Sequence, residues 1–87
     1  MIKITPKTLT KHELIGLKCR IVRASNPEII GVEGTVVDES KNMIVIENSK
    51  KRMIPKKDAF FEFKLKENII IDGRRLLGRP EDRVSIR

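Results

Sequence analysis

The residue types that most often perform catalysis are sparse in this 87-residue chain, and their spacing is unfavourable. The one histidine, His12, has no second histidine four residues on, which excludes the HExxH zinc pattern. With a single imidazole available, the serines lack the partners of a nucleophilic triad. Asp38 and Glu39 are adjacent in a predicted solvated hairpin loop, whereas a Mg²⁺ site needs carboxylates that converge from separate elements. We therefore predict no catalytic residue, no metal site and no cofactor bound by this chain.

The single cysteine and the lack of long apolar runs restrict the cellular setting. Cys19 cannot form an internal disulfide or a cysteine-based zinc site, and its place in an apolar run predicts a buried core residue. The longest unbroken apolar run is Met43 to Ile46, too short to cross a bilayer. The N-terminus shows neither the apolar region nor the cleavage site of a signal peptide. We expect a cytoplasmic protein without a membrane partner.

Positive charge is the chemistry that the chain does offer. Nineteen lysines and arginines stand against twelve acidic residues, for a net charge of +7. Residues 50–87 carry twelve of the bases and six of the acids, so most of the excess lies in the second half. A small domain this basic indicates a polyanionic partner.

The bases of the second half fall in short clusters at predicted turns. They are Lys50, Lys51 and Arg52, then Lys56 and Lys57, then Arg74 and Arg75, and finally Arg79 and Arg83. Lysines contact phosphates as point charges, and arginines add bidentate contacts and stacking. Turns at one end of a small barrel converge, which would unite the clusters in one positive surface. The alternative interpretation is a solvated face that only keeps the protein soluble.

Aromatic residues limit the kind of nucleic-acid recognition. Phe60, Phe61 and Phe63 are the only aromatics, and alternation places Phe61 and Phe63 in the core. Phe60 falls on the other face, either in a second apolar layer or in contact with a partner. Single-strand binders usually present several stacking aromatics. The composition therefore favours recognition of the backbone and shape of a structured RNA over stacking on bases.

The elements that must position these residues are short strands. Segments with alternating or β-branched apolar residues recur about every ten residues, separated by turn signals. They begin near Leu17, Gly31, Met43, Lys51, Ala59 and Ile69. Gly34 sits inside the second segment, which predicts a bend or the close approach of another backbone. Thr10 and Glu13 have the spacing of a capping box, which predicts a short N-terminal helix.

These elements predict a mainly β fold, a small antiparallel barrel of the SH3 or OB type. We expect an N-terminal arm over residues 1–9, the barrel with its short helix over 10–77 and a basic tail over 78–87. Leu76 and Leu77 are predicted to dock on one end of the barrel.

The order of several segments resembles a known family. The segments are Thr10 to Gly16, Gly31 to Glu39, Ile54-Pro55-Lys56, Phe61-Glu62-Phe63, Gly73 to Leu76 and Arg79 to Arg83. Each is short, but together they make the chain similar to the family of archaeal ribonuclease P protein component 1, which corresponds to a subunit shared by eukaryotic ribonuclease P and MRP. The resemblance covers about residues 10–83.

This resemblance implies an Sm-like, SH3-type barrel in an accessory subunit that supports the catalytic RNA while the 5′ leader is removed from precursor tRNA. The Mg²⁺ ions are then expected on the RNA. The implied partners are the specificity domain of that RNA, a zinc-ribbon protein subunit and the other ribonuclease P proteins, with precursor tRNA as substrate of the holoenzyme. The RNA contacts are expected at the nine basic residues above. The protein partner is expected at Leu9, Leu14, Val32, Glu33, Thr35 and Val37.

Other functions remain open at this stage. A protein-interaction module would bind its partner through an exposed strand edge and leave RNA contact to that partner. A ribosomal or Sm-type RNA-binding protein would share the fold without a role in tRNA processing. A stand-alone nuclease has no support from the residues present.

Overall fold

The computed structural model describes Leu9 and residues 13–78, and in that part of the chain six strands form one antiparallel sheet. The strands are β1 (Lys18–Ala24), β2 (Glu33–Glu39), β3 (Met43–Asn48), β4 (Lys50–Pro55), β5 (Ala59–Lys64) and β6 (Ile69–Asp72). Their order across the sheet is β4-β3-β2-β1-β5-β6, so β4 and β6 are its edges. The predicted mainly β fold of about six short strands is confirmed. Short 3₁₀ helices span Pro27–Ile29, Lys56–Asp58 and Gly73–Leu76.

Two β-bulges bend the sheet and change which side chains face inward. One lies in β1 between Ile21 and Arg23, and the other lies in β2 between Val36 and Asp38. A bulge adds one residue to one strand of a pair, which increases the local twist and shifts the alternation of the residues that follow. The sheet curls until the 3₁₀ helices that follow the two edge strands contact each other.

The core follows the predicted alternation. Ala59, Phe61 and Phe63 of β5 face inward, and the two phenyl rings stack with centroids 6.2 Å apart. Cys19 is buried among them, and burial raises the pKa of its thiol to about 12, so it behaves as a small apolar residue. Leu76 is fully buried, as predicted for a residue docked on the barrel end, whereas Leu77 remains 41% exposed.

Gly34 occupies a position where only a glycine fits. A methyl group on its Cα would overlap the backbone carbonyl of Glu47 and lie 2.9 Å from the Ile46 side chain. The strand β3 therefore approaches β2 closely at this point, which is what a glycine within a strand predicted.

Part of the N-terminal segment differs from the prediction. A short helix was expected to begin at Thr10, but residues 13–17 are not helical. They form a turn in which the Leu17 amide donates to the Leu14 carbonyl at 3.0 Å, and Gly16 has a φ of +97°. Leu9 is helical and fully buried. Residues 10–12, the arm over 1–8 and the tail over 79–87 lie outside the described residues, so the predicted domain boundaries stay a prediction. The described part holds no helix long and apolar enough to cross a membrane.

Candidate RNA-binding surfaces

The first basic surface lies at the turn between β3 and β4. Asn48 pairs with Lys50 across this turn, and the intervening Ser49 has a φ of +67°. Lys50, Lys51 and Arg52 follow and are all exposed, and we call these three residues the hairpin surface. Within the described part of the chain, none of the three forms an ion pair. Their charges are therefore available to an anionic partner.

The second basic surface lies where the two later 3₁₀ helices meet. Lys57, Arg74 and Arg75 are exposed there, and we call these three residues the closure surface. Arg74 is already engaged, since its Nη2 lies 2.7 Å and its Nε 3.0 Å from Asp72 Oδ2. Hydrogen bonds from Arg74 hold the pKa of the Asp72 carboxyl below its usual range, and the same contact raises the pKa of Arg74. Part of the positive charge of this surface is thus compensated.

The two surfaces do not merge into one turn cluster. The hairpin surface begins β4, and the closure surface begins after β4 ends at Pro55. Five residue steps of a strand separate Lys50 from Pro55, which corresponds to about 17 Å. The structure therefore places the predicted clusters at opposite ends of one strand. Arg79 and Arg83 lie outside the described residues.

Lys56 does not belong to either surface, which corrects its prediction as an RNA contact. Its side chain has no solvent exposure, and its Nζ donates to Glu39 Oε2 at 2.8 Å. The same ammonium donates to the carbonyls of Gly78 at 3.0 Å and Lys41 at 3.3 Å. A buried charge needs such partners, because moving it out of water is costly. Lys56 is a structural residue that joins three segments, and a phosphate has no access to it.

Glu39 corrects the prediction of a solvated hairpin at Asp38 and Glu39. The bulge between Val36 and Asp38 places Glu39 opposite Ile44, on the inner face of the sheet. The carboxylate is buried beside Lys56, while Asp38 stays exposed. The sequence does not predict this ion pair, since the two residues are 17 positions apart and no spacing rule for helices or strands relates them.

The residues predicted for a protein partner divide into two groups. Leu9 and Leu14 have no solvent exposure and belong to the core, so in this structure they are not available to a partner. Glu33 is exposed, and Val32, Thr35 and Val37 are half-buried. Glu33 and Thr35 alternate with the inward-facing Gly34 and Val36 and lie on the outer face of β2, whereas Val37 is the extra residue of the bulge between Val36 and Asp38.

The structure also brings together two residues that sequence reasoning did not pair. The guanidinium of Arg23 lies over the ring of Phe60, with Cζ 5.7 Å from the ring centroid. The two residues are cross-strand partners in β1 and β5. Alternation along β5 placed Phe60 on the outer face, but nothing in the pattern of β1 put Arg23 beside it.

The acidic, histidine and cysteine residues form no metal-binding cluster within the described residues. His12 lies outside them. The two basic surfaces consist of exposed lysines and arginines, side chains that can bind an anion.

Comparison with known proteins identifies the family. The family model described as "Ribonuclease P/MRP, subunit p29" matches residues 7–86. Ribonuclease P protein component 1 of Methanocaldococcus jannaschii is 51% identical over 85 residues, covering 94% of this chain and 90% of that protein. The protein of the same name from Thermococcus sibiricus is 49% identical over 98% of this chain and 70% of its own length. A solved structure of a homologue of a human ribonuclease P protein aligns with a TM-score of 0.61 at 44% identity, covering 84% of this chain and 99% of that one. The chain therefore belongs to the ribonuclease P/MRP subunit p29 family and is a protein subunit of ribonuclease P.

Proposed function

We propose that this subunit binds the ribonuclease P RNA through its exposed basic residues and supports the RNA in removing the 5′ leader from precursor tRNA. The proposal rests mainly on the hairpin surface, because its three adjacent cations are exposed to solvent and form no ion pair within the described part of the chain. Membership of the ribonuclease P/MRP family indicates that the anionic partner is this RNA. The protein supplies phosphate contacts that hold the RNA fold. The RNA and its Mg²⁺ ions perform the cleavage.

The hairpin surface and the closure surface are proposed to contact separate stretches of the RNA backbone. Arg79 and Arg83 continue from the closure surface along the chain and are included in the proposal. Lys56 is not included, because its ammonium is buried. Arg75 and Lys57 are expected to contribute more than Arg74, since Asp72 compensates the charge of Arg74.

The test is the salt dependence of binding to ribonuclease P RNA. Each phosphate contact that is lost should reduce the slope of log K against log salt by about 0.7 to 0.9. A Lys50→Ala/Lys51→Ala variant should therefore flatten the slope by about 1.5. The matched control is Lys66→Ala, which removes an exposed lysine in the turn between β5 and β6.

An unchanged slope in the double variant would remove the hairpin surface from the interface. Cleavage of precursor tRNA by the reconstituted enzyme checks the function itself, since omission of this chain should lower the cleavage rate or raise the Mg²⁺ requirement. Equal cleavage with and without the chain would contradict the proposed role. Ribosome co-sedimentation instead of association with ribonuclease P RNA would favour the ribosomal alternative.

We propose Glu33 and Thr35 on the outer face of β2, with Val32 and Val37 beside them, as the surface for the zinc-ribbon subunit. Together the two proteins would act on the specificity domain of the RNA, alongside the other ribonuclease P proteins. Thr35→Lys should abolish co-purification with that subunit, because the outer face would carry an unmatched charge. Met53→Glu is the control, since Met53 is 64% exposed on β4. Retained co-purification of Thr35→Lys would exclude this face.

A cytoplasmic location is part of the same proposal. The thiol of Cys19 is free and buried, which fits a reducing compartment.

A further inference from the structure

A cleft beside the closure surface combines a planar cation with two further cations. It has a volume of about 220 Å³. Its walls come from the end of β1, the 3₁₀ helix after β4, the start of β5 and the segment after β6. Its lining includes Arg23, Ser25, Lys57, Phe60, Asp72 and Arg74.

The bulge in β1 creates the planar element of this cleft. Ile21 faces the core, and simple alternation would send Arg23 inward as well. The bulge between these residues makes Arg23 the partner of Phe60 and turns it to the outer face. There the guanidinium lies over the ring, with Cζ 5.7 Å from the centroid. A guanidinium held over an aromatic ring loses little freedom when a second planar group stacks on its other side.

The charges around this platform suit one phosphate. Lys57 is exposed and forms no ion pair within the described residues. Arg74 donates hydrogen bonds to Asp72 from its Nε and Nη2 atoms. The two N–H groups of Nη1 can therefore donate to another acceptor. Three cations and the carboxylates of Asp58 and Asp72 line the cleft, so its formal charge is +1. That excess matches a single phosphodiester better than a run of backbone phosphates.

We propose that this cleft binds one unpaired nucleotide of the RNA, with its base stacked on the guanidinium of Arg23 and its phosphate in contact with Lys57 and Arg74. Ser25 adds a hydroxyl at the wall of the cleft. The inference rests on the proposed function, since it names the kind of RNA element that this part of the protein recognises. It also revises the expectation that the chain recognises only the backbone and shape of RNA. Bases inside a duplex are already stacked on their neighbours, so only an unpaired base offers its face to Arg23.

The test separates stacking from charge. Arg23→Lys keeps the charge and removes the plane, and Phe60→Leu keeps the apolar bulk and removes the ring. Loss of one stacked base should weaken binding to ribonuclease P RNA by at least about fivefold, while the salt slope stays unchanged. Lys57→Ala should show the opposite pattern, with a slope flattened by about 0.7 to 0.9 and the base contact kept.

Chemical probing of unpaired bases in the bound RNA supplies the second readout. The wild-type chain should protect a base that becomes reactive again with Arg23→Lys and stays protected with Lys57→Ala. Thermal unfolding checks that each variant is folded. Arg23 is exposed, so Arg23→Lys should keep the stability of the wild type and remains informative even if Phe60→Leu is destabilised.

Wild-type affinity and unchanged base protection in both Arg23→Lys and Phe60→Leu would overturn the inference. If the variants at Lys50 and Lys51 still reduce binding in that case, the proposed function stands and only the cleft is excluded. If the wild-type chain does not bind the RNA at all, the proposed function fails together with the cleft.

Discussion

Two lysine-rich stretches of the chain differ in their exposure to solvent: the hairpin surface at the start of β4, and Lys56 and Lys57 after its end. Lys50 and Lys51 begin an edge strand and project into solvent. Lys56 and Lys57 follow the same strand, yet Lys56 is fully buried while Lys57 is exposed. Local composition does not distinguish the two stretches. Whether a lysine in these stretches is buried or exposed depends on which other segments pack against it.

At the second stretch, that packing is close and specific. A methyl group added to Gly73 would overlap the carbonyl oxygen of Lys56 and lie 2.7 Å from the ring of Phe61 and 2.8 Å from the carbonyl oxygen of Ala59. The Lys56 ammonium links β2, the loop after it and Gly78. Lys50, Lys51 and Arg52 of the hairpin surface form no buried ion pair within the described residues. We therefore expect the region from Lys56 to Gly78 to determine stability, and the hairpin to tolerate substitution.

The largest effect is expected at the buried ion pair. Lys56→Met should destabilise the protein by about 3–5 kcal/mol, because it removes the ammonium that pairs with the buried Glu39 carboxylate. Replacing both residues, as Glu39→Leu/Lys56→Met, should recover at least about half of that loss, since neither charge then remains buried. Urea unfolding measures both values. Lys57→Met is the control, and an equal loss in that variant would contradict the distinction between the two lysines.

The next effect is expected at Gly73. Gly73→Ala should destabilise by about 3 kcal/mol, because the methyl group overlaps backbone atoms that cannot move aside easily. The matched control is Gly31→Ala, where nothing lies within 4 Å and only a φ of +91° opposes the side chain. That control should cost about 1–2 kcal/mol. Similar unfolding free energies for the two variants would show that contact between the 3₁₀ helices is not what limits this site.

A smaller, pH-dependent effect is expected at Asp72. Arg74 lowers the pKa of Asp72 in the folded state. The pair therefore stabilises the protein at pH values above the unfolded-state pKa of about 3.9, and the stabilisation is lost as the pH falls through the lower folded-state pKa. Asp72→Asn keeps an oxygen for the Arg74 amide and removes the charge. Its melting temperature should lie below the wild-type value at neutral pH and converge with it in acid. A constant gap between the two curves would rule out this linkage.

The smallest effect is expected in the hairpin. Ser49→Gly should stabilise the protein by about 0.5 kcal/mol, because glycine adopts the φ of +67° without the strain of a Cβ. This corresponds to an increase of about 2–4 °C in melting temperature. Ser40→Gly, in the loop before β3, is the control and should lower the melting temperature slightly, because it only adds freedom to the unfolded chain. Lower stability of Ser49→Gly would show that the turn is not strained.

Much of the fold could be predicted because the alternation of apolar and polar residues is visible within each strand segment of the sequence. Ala59, Phe61 and Phe63 alternate with polar neighbours, and β-branched runs identified β3 and β6. The close approach at Gly34 also followed from one residue in its strand. Thr10 and Glu13 satisfy a local rule for a helix start, but residues 13–17 are not helical, because the turn at Gly16 and the burial of Leu14 decide their conformation. The candidate site was predicted less well, because exposure of a lysine is not a local property.

The antiparallel sheet, the inward faces of most strands, the small core and the excess of positive charge could all be predicted from the order of the amino acids. How the charged residues are used depends on the way the strands pair and pack. One bulge turns Glu39 inward to Lys56, and the other turns Arg23 outward to Phe60. The physical reason is that a bulge depends on the fit between two strands and shifts alternation by one residue. The shift therefore cannot be predicted from the residue pattern of one strand alone.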